Sequence, residues 1–149
     1  MIDGQDMARF DELEKAIFAE LSLEEQKSLL VALKRNIEQF AVVEAEKECA
    51  RRLHWMLPAV AYIFGVPEAN ILTRDRRRNV VECRNALMLR LYREGHSIRS
   101  ISKAMGLSRS TVVYSIDEVS GAVSSRNPSW FDFIEKWKIF NQVIDDADY

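Results

Sequence analysis

Apolar side chains recur every three or four residues along nearly the whole chain, which is the spacing of one face of an α-helix. The first such segment carries Met7, Phe10, Leu13, Ile17 and Leu21. No run of alternating apolar and polar residues bounded by hairpin turns occurs in the sequence. The pattern therefore predicts an all-α protein.

The first two predicted helices form an N-terminal extension over residues 1–56. Ser22 and Glu25 have the spacing of a capping box that starts the second helix. Four apolar residues of that helix follow heptad spacing: Leu30, Leu33, Ile37 and Phe40. Because Glu44 and Lys47 occupy the next positions of this seam, the pattern favours a helical hairpin over a sustained coiled coil. The apolar face of the hairpin either closes the monomer's own core or pairs with a second subunit.

A second predicted domain covers residues 57–125, and Pro58 is expected to interrupt the preceding helix or to start a new one. Within this domain a helix is predicted from about residue 80 to residue 92. A break at residues 126–129 separates the last segment, 126–149, which is predicted to form an amphipathic helix. Its apolar stripe consists of Trp130, Phe133, Ile134, Trp137, Phe140 and Ile144. Such a stripe favours packing on the core over an interaction surface.

Residues 97–117 contain two short helical patterns around a glycine. The apolar stripe of the first consists of Ile98, Ile101, Ala104 and Met105. Gly106 follows its last turn, where glycine readily adopts the left-handed conformation that ends a helix. Ser108 is a good N-cap for the next helix. This is the arrangement of a helix-turn-helix DNA-binding motif.

The second of these helices has an inner and an outer face. Val112, Ile116 and Val119 recur at helical spacing and are expected to face inward. The outward residues are Arg109, Ser110, Thr111, Tyr114 and Ser115. Their donors, acceptors and methyl group suit phosphates and the base edges of the major groove, and the helix N-terminus adds a positive dipole end.

Charge is unevenly distributed, although the net charge is only -2. Residues 49–126 carry 13 Lys and Arg against 6 Asp and Glu, whereas residues 1–48 carry 6 against 12. Five arginines precede the turn motif: Arg74, Arg76, Arg77, Arg78 and Arg84. We expect them to hold the DNA backbone while the turn motif reads bases.

The sequence contains no apolar run of membrane-spanning length, and its acidic N-terminal segment lacks the plan of a signal peptide. We therefore expect a cytoplasmic protein without a membrane partner. Cys49 and Cys83 are isolated, which indicates buried or idle thiols, and neither His54 nor His96 completes a metal site. No cofactor is predicted.

Nucleotide binding and catalysis are not predicted either. None of the five glycines belongs to a G-x-x-x-x-G-K-[ST] loop that would cradle nucleotide phosphates. No Ser-His-Asp set, H-E-x-x-H helix or pair of catalytic carboxylates stands out. The expectation is a protein that is not an enzyme.

Several short motifs occur in the order found in one known family. They are Val60-Ala61-x-x-Phe64-Gly65-Val66, Ile71-Leu72 followed by Arg74, Arg76 and Arg78, then Arg84, Asn85 and Met88, and lastly Ser97, Ile101, Ala104, Gly106, Ser110, Thr111 and Val112. With these motifs, residues 57–119 resemble the C-terminal DNA-binding domain of the bacterial replication initiator DnaA, which is a Trp-repressor-like helix-turn-helix domain. The resemblance covers less than half of the chain and does not extend to the initiator's ATPase domain.

This resemblance implies that Ser110 and Thr111 touch base edges or methyl groups, while Arg76 and Arg78 hold the DNA backbone and reach the adjacent minor groove. Leu107, Ser108 and Arg109 depart from the family's usual Arg, Asp and His. Binding to the initiator's own recognition sequence is therefore not expected.

The sequence thus predicts a double-stranded DNA-binding protein, either a transcriptional regulator or an accessory replication factor, with a mobile element as one candidate source. The predicted contact residues are Arg74, Arg76, Arg77, Arg78, Arg84, Ser97, Ser108, Arg109, Ser110, Thr111, Tyr114 and Ser115. One alternative is a helical adaptor that binds another protein through its acidic N-terminal or aromatic C-terminal helices. Another is a targeting subunit of a transposase or nuclease whose catalytic part is a separate chain.

Overall fold

The computed structural model describes residues 4–148, without the side chains of Asp6, Phe10 and Phe18. The helices are α1 (Gly4–Ala19), α2 (Leu23–Phe64), α3 (Glu68–Ile71), α4 (Arg78–Arg93), α5 (Ile98–Met105), α6 (Arg109–Ser125) and α7 (Phe131–Ala147), and a 3₁₀ turn, Pro128–Trp130, precedes α7. Within this range no strand occurs, which confirms the predicted all-α fold. The predicted place of Phe10 in the first apolar stripe lies outside the described residues.

The chain divides into two compact units, and the division falls inside α2 between Val42 and Val43. The first unit contains α1 and the first half of α2. Ser22 caps α2, because the Glu25 amide donates to Ser22 Oγ at 3.2 Å and Ser22 Oγ donates to Glu25 Oε1 at 3.1 Å. No described side chain between residues 4 and 42 is buried.

Helix α2 continues through Pro58, so the predicted interruption at this residue is wrong. A proline inside a helix removes the hydrogen bond to the carbonyl four residues earlier, at a cost of about 3 kcal/mol. In α2 that carbonyl belongs to His54, and both His54 and Pro58 are exposed. Water can therefore solvate the carbonyl, while the opposite face of α2 stays packed on the core.

The second unit has one hydrophobic core, to which α2, α4, α5, α6 and α7 contribute. Cys49, Leu53 and Met56 of α2 are fully buried in it, although the sequence assigns them to the N-terminal extension. Their spacing of three and four residues aligns them on the face of α2 that packs on the core. Val112, Ile116 and Val119 are also buried, which confirms their predicted inward orientation.

Helix α7 packs its aromatic stripe into this core. Phe133, Trp137 and Phe140 are each at most 3% exposed. The Phe133 and Trp137 rings are stacked with centroids 6.5 Å apart, and the Trp137 and Phe140 centroids are 6.2 Å apart. Five of the six residues of the predicted stripe are buried, and Trp130 is partly buried against the core.

An ion-pair network fastens the C-terminal end of α7. Arg52 Nε donates to Glu94 Oε1 at 2.7 Å and Arg52 Nη2 donates to Asp148 Oδ2 at 2.8 Å, while Arg90 Nη2 donates to Asp145 Oδ1 at 2.9 Å. The hydrogen bond from Arg52 lowers the pKa of Asp148. Burial alone would raise the pKa of Glu94, but the hydrogen bonds from Arg52 and Arg90 outweigh it and lower this pKa. The network joins α2, the end of α4 and the end of α7.

Both cysteines are buried and free, as predicted. Burial raises the pKa of Cys49 to about 11 and that of Cys83 to about 12, so both thiols stay protonated at neutral pH. Among the helices of residues 4–148, none has the length and apolar character needed to cross a bilayer.

Candidate nucleic-acid interface

The turn between α5 and α6 is built around Gly106. This residue has φ +68°, in the left-handed region that glycine adopts without steric cost. The Leu107 amide donates to the Ser102 carbonyl at 3.1 Å, which is the hydrogen bond of a Schellman helix end. Leu107 also packs against the core. The α5–α6 corner is therefore a helix-turn-helix of defined geometry, as predicted.

Ser108 caps the N-terminus of α6. Its Oγ accepts a hydrogen bond from the Thr111 amide at 3.2 Å and lies 2.7 Å from Thr111 Oγ1 and 3.2 Å from Ser110 Oγ. Because the Thr111 hydroxyl is held by Ser108, its methyl group is the part left to contact a ligand. The first turn of α6 thus presents hydroxyls, a methyl group and unpaired helix amides.

The outer face of α6 is open to solvent over its first two turns. Arg109, Ser110 and Thr111 are exposed, and Tyr114 is 69% exposed. Ser115 is only partly exposed.

Two cations that the sequence did not single out lie beside Arg109. Arg99 and Lys103 of α5 line a 300 Å³ concave surface together with Arg109 and the Gly106 turn. Both pair with Glu46 of α2, whose side chain is 8% exposed, at Nε–Oε1 3.2 Å and Nζ–Oε2 2.7 Å. The hydrogen bond from Lys103 is the main cause of the lowered pKa of Glu46. Arg109 forms no ion pair with any described residue.

The arginine-rich loop between α3 and α4 is organised by Arg84. From α4, its guanidinium donates to the backbone carbonyls of Thr73 at 2.6 Å, Ile71 at 3.4 Å and Asp75. A planar guanidinium with several donors suits such a set of carbonyls. Most of the N–H donors of Arg84 are therefore engaged by backbone carbonyls within the protein.

The other four arginines of the loop differ in their partners. Arg77 pairs with Asp75 at 2.6 Å, and Arg78 pairs with Glu82 at 3.1 Å while its side chain stays 82% exposed. Arg74 and Arg76 form no hydrogen bond or ion pair with the described residues. The guanidiniums of Arg74 and Arg76 are thus free, that of Arg78 is partly engaged, and that of Arg77 is held by Asp75.

The structure brings the predicted residues into separate groups. Arg76 and Arg78 line a cavity of 420 Å³ that Glu118 of α6 also lines, so the loop lies next to the middle of α6. Ser97 lies elsewhere. It caps α5 by accepting from the Ser100 amide at 3.1 Å, and it lines a cavity beside Glu94 and Asp148.

The described residues contain no group of three or more His, Cys, Asp or Glu side chains that could hold a metal ion.

The sequence analysis missed Arg99 and Lys103 as candidate contact residues. Their spacing of four on a short helix before the turn was a signal that could have identified them.

Comparison with known proteins supports the helix-turn-helix assignment. A family model described as a homeodomain-like domain matches residues 79–120, which span α4, α5 and most of α6. Neither the curated proteins nor the solved structures include a significant match. The family match concerns homeodomain-like domains rather than the initiator family that the short motifs resemble. Residues 79–120 are similar to a DNA-binding domain of the helix-turn-helix type.

Proposed function

We propose that this protein is a non-enzymatic reader of double-stranded DNA that inserts the N-terminal turns of α6 into the major groove. The observation that carries the proposal is the exposed first turn of α6, which follows the capped Gly106 corner and is flanked by Arg99, Lys103 and Arg109. In helix-turn-helix proteins the second helix contacts base edges while the first crosses the backbone.

Base contacts are assigned to Arg109, Ser110, Thr111 and Tyr114. Arginine suits the acceptor pair of guanine, and the Thr111 methyl group suits the methyl of thymine. Backbone contacts are assigned to Arg99 and Lys103, which can turn from Glu46 towards a phosphate because both are mostly exposed at 59% and 70%.

The arginine loop supplies a second set of backbone contacts. It precedes α4, the first of the three matched helices, and in a homeodomain the arm at this position reaches the minor groove beside the recognition helix. Arg74, Arg76 and Arg78 are the exposed cations assigned to this contact, with Arg84 as the residue that positions the loop.

The biological role is that of a transcriptional regulator or an accessory replication factor. The resemblance of residues 57–119 to the initiator's DNA-binding domain favours replication, whereas the homeodomain-like match is neutral between the two roles. The adaptor alternative keeps one supporting observation, the exposed apolar side chains of the N-terminal hairpin. Its other proposed surface, the aromatic stripe of α7, is buried.

Selection of bound sequences from randomised duplex DNA tests the assignment of α6. An Arg109→Gln variant is expected to lose its preference at one base position, by about 1–3 kcal/mol of discrimination. Arg126→Gln is the matched control, because it removes the same charge at the opposite end of α6. If both variants enrich the wild-type motif with unchanged affinity, α6 is not the reading helix.

A further inference from the structure

The N-terminal hairpin exposes an apolar surface that its own fold does not use. Eleven large apolar residues between positions 4 and 42 are exposed, from 36% for Leu29 to 69% for Ile37. No described side chain in this range is buried. A unit of about forty residues without a core of its own usually depends on a partner for stability. We call these exposed apolar side chains the hairpin surface.

The area of the hairpin surface is that of a stable interface. Val31 and Val42 lie on the opposite side of α2 from Phe40, so nine of the eleven side chains can share one contact. Each exposes on the order of 100 Å² of apolar area, which gives about 900 Å² in total. A stable interface buries about 800 Å² on each partner, whereas the apolar patches of monomers rarely exceed a few hundred. The hairpin surface therefore has enough area for a specific protein contact.

The shape of the surface fits another helix. Leu30, Leu33, Ile37 and Phe40 occupy the alternating three- and four-residue positions of a helix-packing seam. Beside them, Ile17 and Leu29 help to line an apolar groove of 440 Å³ with Leu30 and Leu33. The seam stops where Glu44 and Lys47 form a surface pair at 3.6 Å, which is just beyond the end of the first compact unit.

The charges around the hairpin surface suit a second copy of the same surface. Acidic residues on α1 and basic residues on α2 form no ion pairs with one another among the described side chains. They are Asp11, Glu12 and Glu14 on α1, which also carries Arg9 and Lys15, and Lys27, Lys34 and Arg35 on α2, whose first half also carries Glu24, Glu25 and Glu38. Because both helices carry charges of both signs, a two-fold contact can place opposite charges of the two copies together, and each such pair occurs twice.

We propose that the hairpin surface is the interface of a homodimer in which two hairpins pack as a four-helix assembly. Dimerisation itself requires no DNA. If the proposed function also holds, each dimer carries two DNA readers and binds a pair of half-sites.

Sedimentation velocity on the full chain tests this proposal. The wild-type protein is expected to have twice the 17.2 kDa chain mass at micromolar concentration. Replacing Ile37 and Phe40 with glutamate buries charge in the interface and is expected to raise the dimer dissociation constant at least about 100-fold. Tyr62→Glu, at a residue that is 89% exposed in the second unit, is the control and is expected to stay dimeric.

An uncharged variant controls for an effect of the introduced glutamates on folding. An Ile37→Cys chain is expected to form a disulfide-linked dimer with oxidised glutathione, whereas a Tyr62→Cys chain is not. A single-chain mass at all concentrations, without cross-linking, overturns the homodimer. A monomer that binds DNA refutes only the dimer, and a dimer that binds no DNA refutes only the proposed function.

Discussion

Replacing Arg76 and Arg78 together with glutamine is expected to weaken DNA binding about 100-fold, whatever the DNA sequence. Arg76 has no internal partner, and the Arg78 side chain is 82% exposed despite its contact with Glu82. A hydrogen bond to a charged group contributes about 1.5–3 kcal/mol, and two such losses give at least this factor. The measurement is fluorescence anisotropy on a fixed duplex over a salt series.

Two comparisons make this prediction specific. The double variant should also lower the slope of log affinity against log salt by about 2, because each lost phosphate contact removes about one released counterion. Arg51→Gln combined with Arg126→Gln removes the same charge from exposed positions outside the proposed interface and should change the slope little. An equal loss in both double variants would mean that net charge, rather than the loop, determines binding.

A variant of Arg84 distinguishes positioning of the arginine loop from direct contact with DNA. Arg84→Lys keeps the charge, but one ammonium cannot replace the guanidinium on the carbonyls of Ile71, Thr73 and Asp75. We therefore expect weaker binding with a nearly unchanged salt slope. Full affinity in this variant would contradict the positioning role.

Replacing Phe140 with alanine is expected to lower the free energy of unfolding by about 3–5 kcal/mol, because the residue is fully buried between α7 and the core. The control is Ile139→Ala on the same helix, where the side chain is 52% exposed and the expected loss is below about 1 kcal/mol. Urea unfolding followed by circular dichroism measures both.

This prediction also decides what α7 is for. If its aromatic stripe served a partner protein, Phe140→Ala would leave the unfolding free energy unchanged and reduce only partner binding. A loss of several kcal/mol instead means that α7 is part of the domain that holds the helix-turn-helix.

The helix-turn-helix could be predicted from the sequence because its signals are local. Gly106 ends one helix and Ser108 caps the next, and neither residue depends on distant contacts for that role. The buried stripe of α7 could be predicted as well, because helical spacing of apolar residues is also a local signal. Pro58 was misjudged because its tolerance depends on which side of α2 faces solvent, and this is set by tertiary packing.

The roles of the arginines could not be separated from the sequence. Charge and spacing place Arg74, Arg76, Arg77, Arg78 and Arg84 in one cluster. Only the fold shows that Arg84 reaches three backbone carbonyls and that Arg77 is paired with Asp75. Likewise, the turn between α5 and α6 places Arg99 and Lys103 beside Arg109, and residue types alone do not predict this placement.

Binding of the wild-type protein to randomised duplex DNA across a salt series is the most direct test of DNA reading. Six exposed cations are assigned to phosphate or base contact: Arg74, Arg76, Arg78, Arg99, Lys103 and Arg109. We expect the affinity to fall about 1,000-fold between about 50 mM and 200 mM salt, and the retained DNA to share a motif. Absence of binding at the lowest salt concentration would contradict the proposed function.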